Sequence, residues 1–221
     1  MRLNQYLALH TSLSRRAADK AITANRVSVN SRPAELGMTI TPHDRVELDA
    51  VVVEPNTHTE TILFHKPAGF VCSRKGQGNK TIYDILPQKF HNLNPVGRLD
   101  KNSSGLLLLT NDGKLANQLS HPTHRKVKIY DVKLNTALAP LHQQMISDFG
   151  ITLEDGPSKL LLESLDNQKN RYKVTMHEGR NRQIRRTFAA LGYEVTGLHR
   201  IQFGDYLLSY LRPGSVKIAQ S

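Results

Sequence analysis

Apolar residues recur along this chain first at helical spacing and then mostly at strand spacing, and the change between the two divides it. Leu3, Tyr6, Leu7 and Leu9 fall on one side of a short helix. Ser14 is a good N-cap for a second helix, from Arg15 to about Asn25, with Ala17, Ala18, Ala21 and Ile22 on its inner side. Short strands are predicted at Val27–Val29 and Asp44–Leu48, with the turn residues Asn30, Ser31 and Pro33 between them. Residues 1–52 therefore form one small unit. Glu54-Pro55-Asn56-Thr57-His58-Thr59 reads as polar connecting chain, which sets a linker at 53–59.

From residue 60 to 221 the pattern predicts a second, larger unit of strands with a few helices, giving an α+β chain. Thr61–Phe64 is a short strand. Leu106–Thr110 is a nearly continuous apolar run, as in a strand buried on both faces. Asn111-Asp112-Gly113 makes a turn, and Lys114–Leu119 is helical. Val127–Leu134 alternates as a strand does. Leu138, Leu141, Met145 and Phe149 mark an amphipathic helix. Arg171–Met176 is another strand, and Asn181–Leu191 is a helix closed by Gly192. No internal repeat or low-complexity tract interrupts the series.

Charge narrows what such a chain does. Thirty Lys and Arg against 19 Asp and Glu give a formal charge of +11, which points to a polyanionic partner. The single cysteine, Cys72, excludes an internal disulfide and a cysteine-based zinc site. The first residues lack the apolar core of a signal peptide, and no apolar run nears the roughly 20 residues that cross a bilayer. A cytoplasmic protein without a membrane partner is expected.

The candidate chemistry lies at the mouth of the apolar strand. Gly97-Arg98-Leu99-Asp100-Lys101-Asn102-Ser103-Ser104-Gly105 places one carboxylate in a polar, Gly-bounded turn. Asp100 is either a turn residue bonding its own backbone or a reactive group carried on a rigid element. Three other segments stand out: His65-Lys66-Pro67-Ala68-Gly69, Lys128-Ile129-Tyr130, and Glu178-Gly179-Arg180-Asn181-Arg182-Gln183-Ile184-Arg185-Arg186. On a helical wheel, Ile184, Phe188 and Leu191 share one stripe, while Arg182 and Arg186 fall opposite and should meet solvent or phosphate. Arg185 sits at the border, where it can pair with a buried carboxylate. The alternative makes all four arginines of this segment a phosphate clamp, and the two readings can hold for different arginines.

Two resemblances follow from these motifs. Arg2-Leu3-Asn4 with Tyr6-Leu7-Ala8, Ser14-Arg15-Arg16, and Arg26-Val27 with Val29-Asn30 resemble the small RNA-binding domain named after ribosomal small-subunit protein four. The family usually has Asp where Asn4 stands and Asn-Gly where Asn30-Ser31 stands. Arg15 and Arg16, opening a helix, and Arg26 are its candidate RNA contacts. The Gly97–Asp112 stretch, Lys66-Pro67 with Gly69, Lys128 with Tyr130, and Gly179–Arg186 together resemble the RsuA-type (RsuA/RluB/RluE/RluF) ribosomal RNA pseudouridine synthases. Here the family usually has Asn at His65 and Glu-Lys at Val127-Lys128.

That resemblance implies a catalytic domain built on a long, mostly antiparallel bent sheet flanked by helices. It implies isomerisation of a uridine in ribosomal RNA to pseudouridine, the sequence details leaning to 23S over 16S. Asp100 matches the essential aspartate, Tyr130 the tyrosine against the target base, and Arg185 the arginine that pairs with the aspartate. Lys66, Arg98, Lys128, Arg180, Arg182 and Arg186 join Arg15, Arg16 and Arg26 as candidate RNA-binding residues. The reaction requires neither metal nor organic cofactor, so none is expected. The partner implied is a structured stem-loop of ribosomal RNA, free or in an assembling subunit, and the protein is expected to be a monomer. The alternative is a non-catalytic RNA-binding or ribosome-assembly factor of the same fold. A nuclease would call for clustered carboxylates holding metal ions, and Asp100 with Asp112 makes a poor cluster.

Overall fold

Leu3 and Leu7, one helical turn apart, are both buried and fix the inner face of α1 (Leu3–His10). The structure, a computed structural model, describes every residue except Ser12, Asn56, Thr57, Gln168, Gln220 and Ser221, and the side chain of Pro122. The chain divides into two units, Met1–Thr59 with Asn111–Gly113, and Glu60–Thr110 with Lys114–Ser221. Two residues of the expected 53–59 linker, Asn56 and Thr57, lie outside the described residues.

In the first unit, Ser14 caps α2 (Arg15–Thr23), its hydroxyl accepting from the Ala17 N–H at 3.1 Å. Ala18, Ala21 and Ile22 turn inward. Strands β1 (Val27–Val29), β2 (Arg32–Pro33), β3 (Val46–Leu48) and β4 (Val51–Val52) form an antiparallel sheet in the order β2-β1-β3-β4. β3 begins two residues later than its sequence pattern predicts. Asp44 is instead a turn residue, accepting from the Thr41 N–H and from Asn30. Asn30 and Ser31 make the hairpin turn with φ of 52° and 66°, so serine occupies the left-handed position there.

The second unit begins with β5 (Thr61–Lys66), β6 (Asn94–Val96), β7 (Ser104–Thr110) and β8 (Lys128–Leu134). Between β7 and β8 runs α3 (Gly113–Ser120), and after β8 comes α4 (Pro140–Gln144). A separate two-stranded hairpin, β9 (Ile151–Leu153) and β10 (Gly156–Ser158), precedes β11 (Leu161–Ser164) and β12 (Arg171–Met176). Then come α5 (Gln183–Ala189), β13 (Val195–Phe203), β14 (Tyr206–Leu207) and β15 (Val216–Ile218). Apart from the hairpin, these strands form one sheet in the order β11-β12-β8-β13-β7-β5-β15, with β14 on β13 and β6 on β7. Within it only the β13–β7 pairing is parallel among the described strands.

β7 is buried on both faces. Leu107 and Leu109 enter one apolar cluster with Ile62, Phe64 and Val132, and Leu106 and Leu108 enter another with Leu119, Phe203 and Leu208. Its flanks differ. β5 pairs with it from Gly105 to Thr110, while on the other side β13 meets only Ser104 and Gly105, and β6 takes residues 108–110.

Two predicted helices change in the structure. The segment marked by Leu138, Leu141, Met145 and Phe149 is a short α-helix followed by a π turn over Met145–Phe149. Leu138 and Ile146 are buried, but Leu141 and Phe149 are exposed. The late helix starts at Gln183 instead of Asn181, since Arg182 adopts a left-handed conformation with φ of 47°. Ile184 and Phe188 are buried as the wheel predicts.

Candidate active site

Asp100 lies in the middle of the 97–103 loop that leads from β6 into β7. The turn reading is right in one respect, since the Asp100 carbonyl accepts from the Ser103 N–H at 3.1 Å. The carboxylate itself points elsewhere. Its Oδ2 lies 3.5 Å from Arg182 Nη1 and 3.9 Å from Arg185 Nε, with the Asp100 side chain about one-third exposed. Both distances exceed those of a tight hydrogen-bonded pair, so the carboxylate sits in a positive field without being clamped.

The loop is held from below by Lys66. This residue is fully buried, and its ammonium donates to the carbonyls of Pro67, Asp100 and Ser103 at 3.0, 3.1 and 2.7 Å and to Lys101 at 3.4 Å. Burial pushes the Lys66 ammonium below the usual lysine value, with the Asp100 charge acting the other way. The Gly69 N–H adds a bond to the Lys101 carbonyl, and the Cys72 thiol bonds the Leu99 backbone. The expectation that Lys66 binds RNA is therefore corrected, because it has no exposed surface and its donors point at the loop that carries Asp100.

Arg185 joins three elements. Nη1 donates to the Val195 carbonyl at 2.6 Å and Nη2 to the Asn102 carbonyl at 3.3 Å, and Nε faces Asp100. Burial, then the nearby Arg182, hold its guanidinium below the ordinary arginine value. Arg182, read from the wheel as a solvent-facing residue, is half exposed but stands nearer to Asp100 than Arg185 does. Its left-handed backbone lifts it off the helix and turns it towards the loop.

The other basic candidates divide by partner. Arg180 donates to Asp155, to the carbonyls of Asp155, Gly156 and Pro157, and to Glu178. Arg186 forks onto the same Asp155 carboxylate at 2.7 and 3.0 Å. Together they tie the β9–β10 turn to the start of α5, and they hold the Asp155 carboxyl below the usual range. In the first unit, Arg26 forks onto Asp49 at 2.5 and 2.7 Å while half exposed. Arg15, Arg16 and Arg98 are exposed.

The sheet supplies the floor. Tyr130 on β8 is buried and stands directly across from Arg200 on β13. Two residues before Tyr130, Lys128 lies 5.2 Å over the Phe203 ring, and burial followed by the charge of Arg200 pushes its ammonium down. Asp100, Ser103, Lys128, Tyr130, Arg182 and Arg200 all line one cavity of about 420 Å³. Arg185 lies behind Arg182, against a second recess. Gly105 makes the junction between loop and floor. Its φ is 106°, and a Cβ there would fall 2.2 Å from the Arg200 carbonyl oxygen. Arg200 is the site residue that the sequence motifs miss. Nothing in Leu198-His199-Arg200-Ile201 marks it, and its only advance signal is Gly105, a glycine inside a strand pattern where another backbone approaches. Among the described residues no group of three or more His, Cys, Asp or Glu is placed to hold a metal ion.

A carboxylate beside two guanidiniums, sharing one cavity with a buried tyrosine and further basic side chains, is an arrangement that can act on a nucleotide lifted from its strand. Comparison with known proteins agrees. Residues 60–190 match the family described as RNA pseudouridylate synthase, more than half of the chain. This chain belongs to that family. Residues 1–46 match the S4 domain. The chain is 37% identical over 226 residues to ribosomal large subunit pseudouridine synthase B of Bacillus subtilis (strain 168), covering 98% of this chain and 91% of that protein. It is 37% identical over 215 residues to the protein of the same description from Escherichia coli O6:H1, covering 92% and 74%. A solved structure described as a pseudouridylate synthase superposes over 100% of this chain and 96% of its own, with a TM-score of 0.72 and 30% identity. As an RNA pseudouridine synthase it has the mixed fold expected, an S4 domain and a mostly antiparallel sheet flanked by helices.

Proposed function

We propose that this enzyme isomerises a specific uridine of ribosomal RNA to pseudouridine, that the uridine lies in 23S RNA, and that Asp100 is the essential carboxylate. The observation that carries the role of Asp100 is its carboxylate beside Arg182 and Arg185, in the same cavity as Tyr130. Relatives named for the large ribosomal subunit support the choice of RNA.

The reaction breaks the bond from C1′ of the ribose to N1 of uracil, turns the base, joins C1′ to C5, and moves the C5 proton out so that N1 ends protonated. The base leaves its stack at a cost of a few kcal/mol and is held against Tyr130, a stacking contact worth about 1–3 kcal/mol. Asp100 reacts at the sugar, either attacking C1′ or removing the C2′ proton, with the guanidiniums of Arg182 and Arg185 beside its carboxylate. Tyr130 is the candidate to relay the C5 proton, supported by its share of the cavity with Asp100. Arg98 and Arg182 at the cavity, and Arg15, Arg16 and Arg26 of residues 1–52, supply phosphate contacts, with 53–59 as linker and 60–221 as catalytic domain. We place the enzyme in the cytoplasm, acting as a monomer.

The test is Asp100→Asn in cells lacking the gene, with pseudouridine mapped across rRNA by carbodiimide labelling and primer extension. The wild-type gene restores one 23S site and the variant leaves it blank. A restored site with the variant would remove Asp100 from catalysis, and a site in 16S RNA would overturn the choice of subunit.

A further inference from the structure

Three side chains that line the cavity, Ser103, Arg180 and Arg200, each keep a buried polar atom without a partner among the described residues, and of these Ser103 and Arg200 are themselves buried. Arg200 is 2% exposed. Its Nε donates to the Leu106 carbonyl at 2.7 Å and its guanidinium carbon lies 4.8 Å over the Phe203 ring, but Nη2 meets no acceptor among the described residues. Ser103, 1% exposed, has an Oγ in the same condition. An orphaned donor on a buried cation is costly, and a folded protein keeps one where something else completes it. Both residues line the cavity that Asp100 and Tyr130 line.

We propose that Arg200 Nη2 donates to a carbonyl oxygen of the uracil being isomerised, and that Ser103 Oγ completes the contact to the same base. The inference rests on the reading of the cavity given above. Position favours the base over a phosphate. Arg200 stands across from Tyr130 in register, and side chains of directly opposed residues share one face of a sheet. A base lying on the Tyr130 ring therefore presents its edge to Arg200. Phosphates stay at the exposed side of the cavity, where Arg98 and Arg182 are.

The contact is strongest at the difficult step. When the bond from C1′ to N1 breaks, its electron pair stays with the base, and the negative charge spreads over N1, O2 and O4. This holds whether Asp100 bonds to C1′ or takes the C2′ proton. A fixed guanidinium at one of those oxygens is complementary to the departing base more than to the neutral one. C5 then joins C1′ as the bond from C1′ to the Asp100 carboxylate breaks, or, on the other route, as Asp100 returns its proton to C2′. The base is neutral again, and its C5 proton is then lost while N1 gains one. Arg200 thus acts on rate more than on RNA affinity.

The experiment crosses enzyme variants with substrate variants. Arg200→Gln, Arg200→Lys and Ser103→Ala are assayed in single turnover on an rRNA transcript with uridine, 2-thiouridine or 4-thiouridine at the target, and RNA binding is measured in parallel. Arg200→Gln is expected to slow uridine about 10²–10³-fold, the scale for removing one charged-oxygen donor, with RNA affinity nearly unchanged. One thio position slows the wild type, because sulfur is a poor acceptor, and there Arg200→Gln adds little further slowing. At the other thio position the two factors multiply. If Arg200→Gln does not fold, Arg200→Lys and Ser103→Ala, the second of which breaks no side-chain hydrogen bond among the described residues, are expected to show the same pattern with smaller factors. Equal slowing on all three RNAs, or an effect carried wholly by affinity, overturns the proposal. A wild type that modifies no rRNA transcript counts against the function proposed above, whereas an active wild type with undiminished Arg200 variants counts against this inference alone.

Discussion

Lys66 and Arg200 are both buried cations, and a sequence treats them alike, as bases available to RNA or invisible in a strand. Burial separates their work. Lys66 spends its donors on the backbone of the 97–105 loop, so it is a positioning residue. Lys66→Met should slow single-turnover modification about 10²-fold, the scale of a small misplacement of a reacting group, while RNA binding stays close to wild type. Filter binding beside rapid quench checks this, and an effect confined to affinity would return Lys66 to the RNA-contacting set. Asp100 is legible because its motif combines a carboxylate with turn residues before an apolar run. Arg185 is legible because a border position on a helical wheel is informative. The closer approach of Arg182 is not, because it depends on one left-handed residue that breaks the wheel before the helix begins.

Elements whose two faces have separate apolar work are the readable ones. β7, with leucines feeding two clusters, is plain in the sequence, as is the alternation of β8. β13 escapes the pattern, though it spans nine residues and stands between β8 and β7. Gly197, His199 and Arg200 break its alternation because the close approaches at its centre need a small residue and polar groups. His199 shows the cost. It bonds Ser104 Oγ at 2.8 Å and lies 5.2 Å from the His65 ring. Burial first, then His65 and Arg171, depress its pKa, against the pull of Asp131. A depressed value in the folded state means that the unfolded chain binds the proton more readily. The stability tied to neutral His199 is complete above the ordinary histidine value of about 6.5 and is lost as pH falls below it towards the folded value. Thermal unfolding followed from pH 8 to 5 should show the midpoint falling through that window, and His199→Gln should flatten the fall.

At the scale of the whole molecule, net charge is the most legible property and points to a polyanion before any motif does. Among the thirty basic side chains, Arg26, Arg180 and Arg186 pair with carboxylates. Arg15 and Arg16 are exposed at a capped helix start, the placement that suits the phosphate contact proposed for them. Changing both to Ala should weaken binding to an rRNA fragment and lower the slope of log affinity against log salt by about 2, near one for each phosphate no longer neutralised. Single-turnover rates at saturating RNA should stay level, and an unchanged salt slope would remove these arginines from the interface.

The missing side chain at Gly105 acts as a spacer made of nothing. The loop that carries Asp100 enters β7 there, and the strand that carries Arg200 passes so close that an added Cβ would sit at 2.2 Å, inside the 3.0 Å that real neighbours respect. At that point the spacing between the chain that leads from Asp100 and the strand that carries Arg200 is therefore set by backbone against backbone. Such a gauge has one setting. One methyl group at position 105 would push the two backbones apart, and with them the loop that carries Asp100 and the strand that carries Arg200.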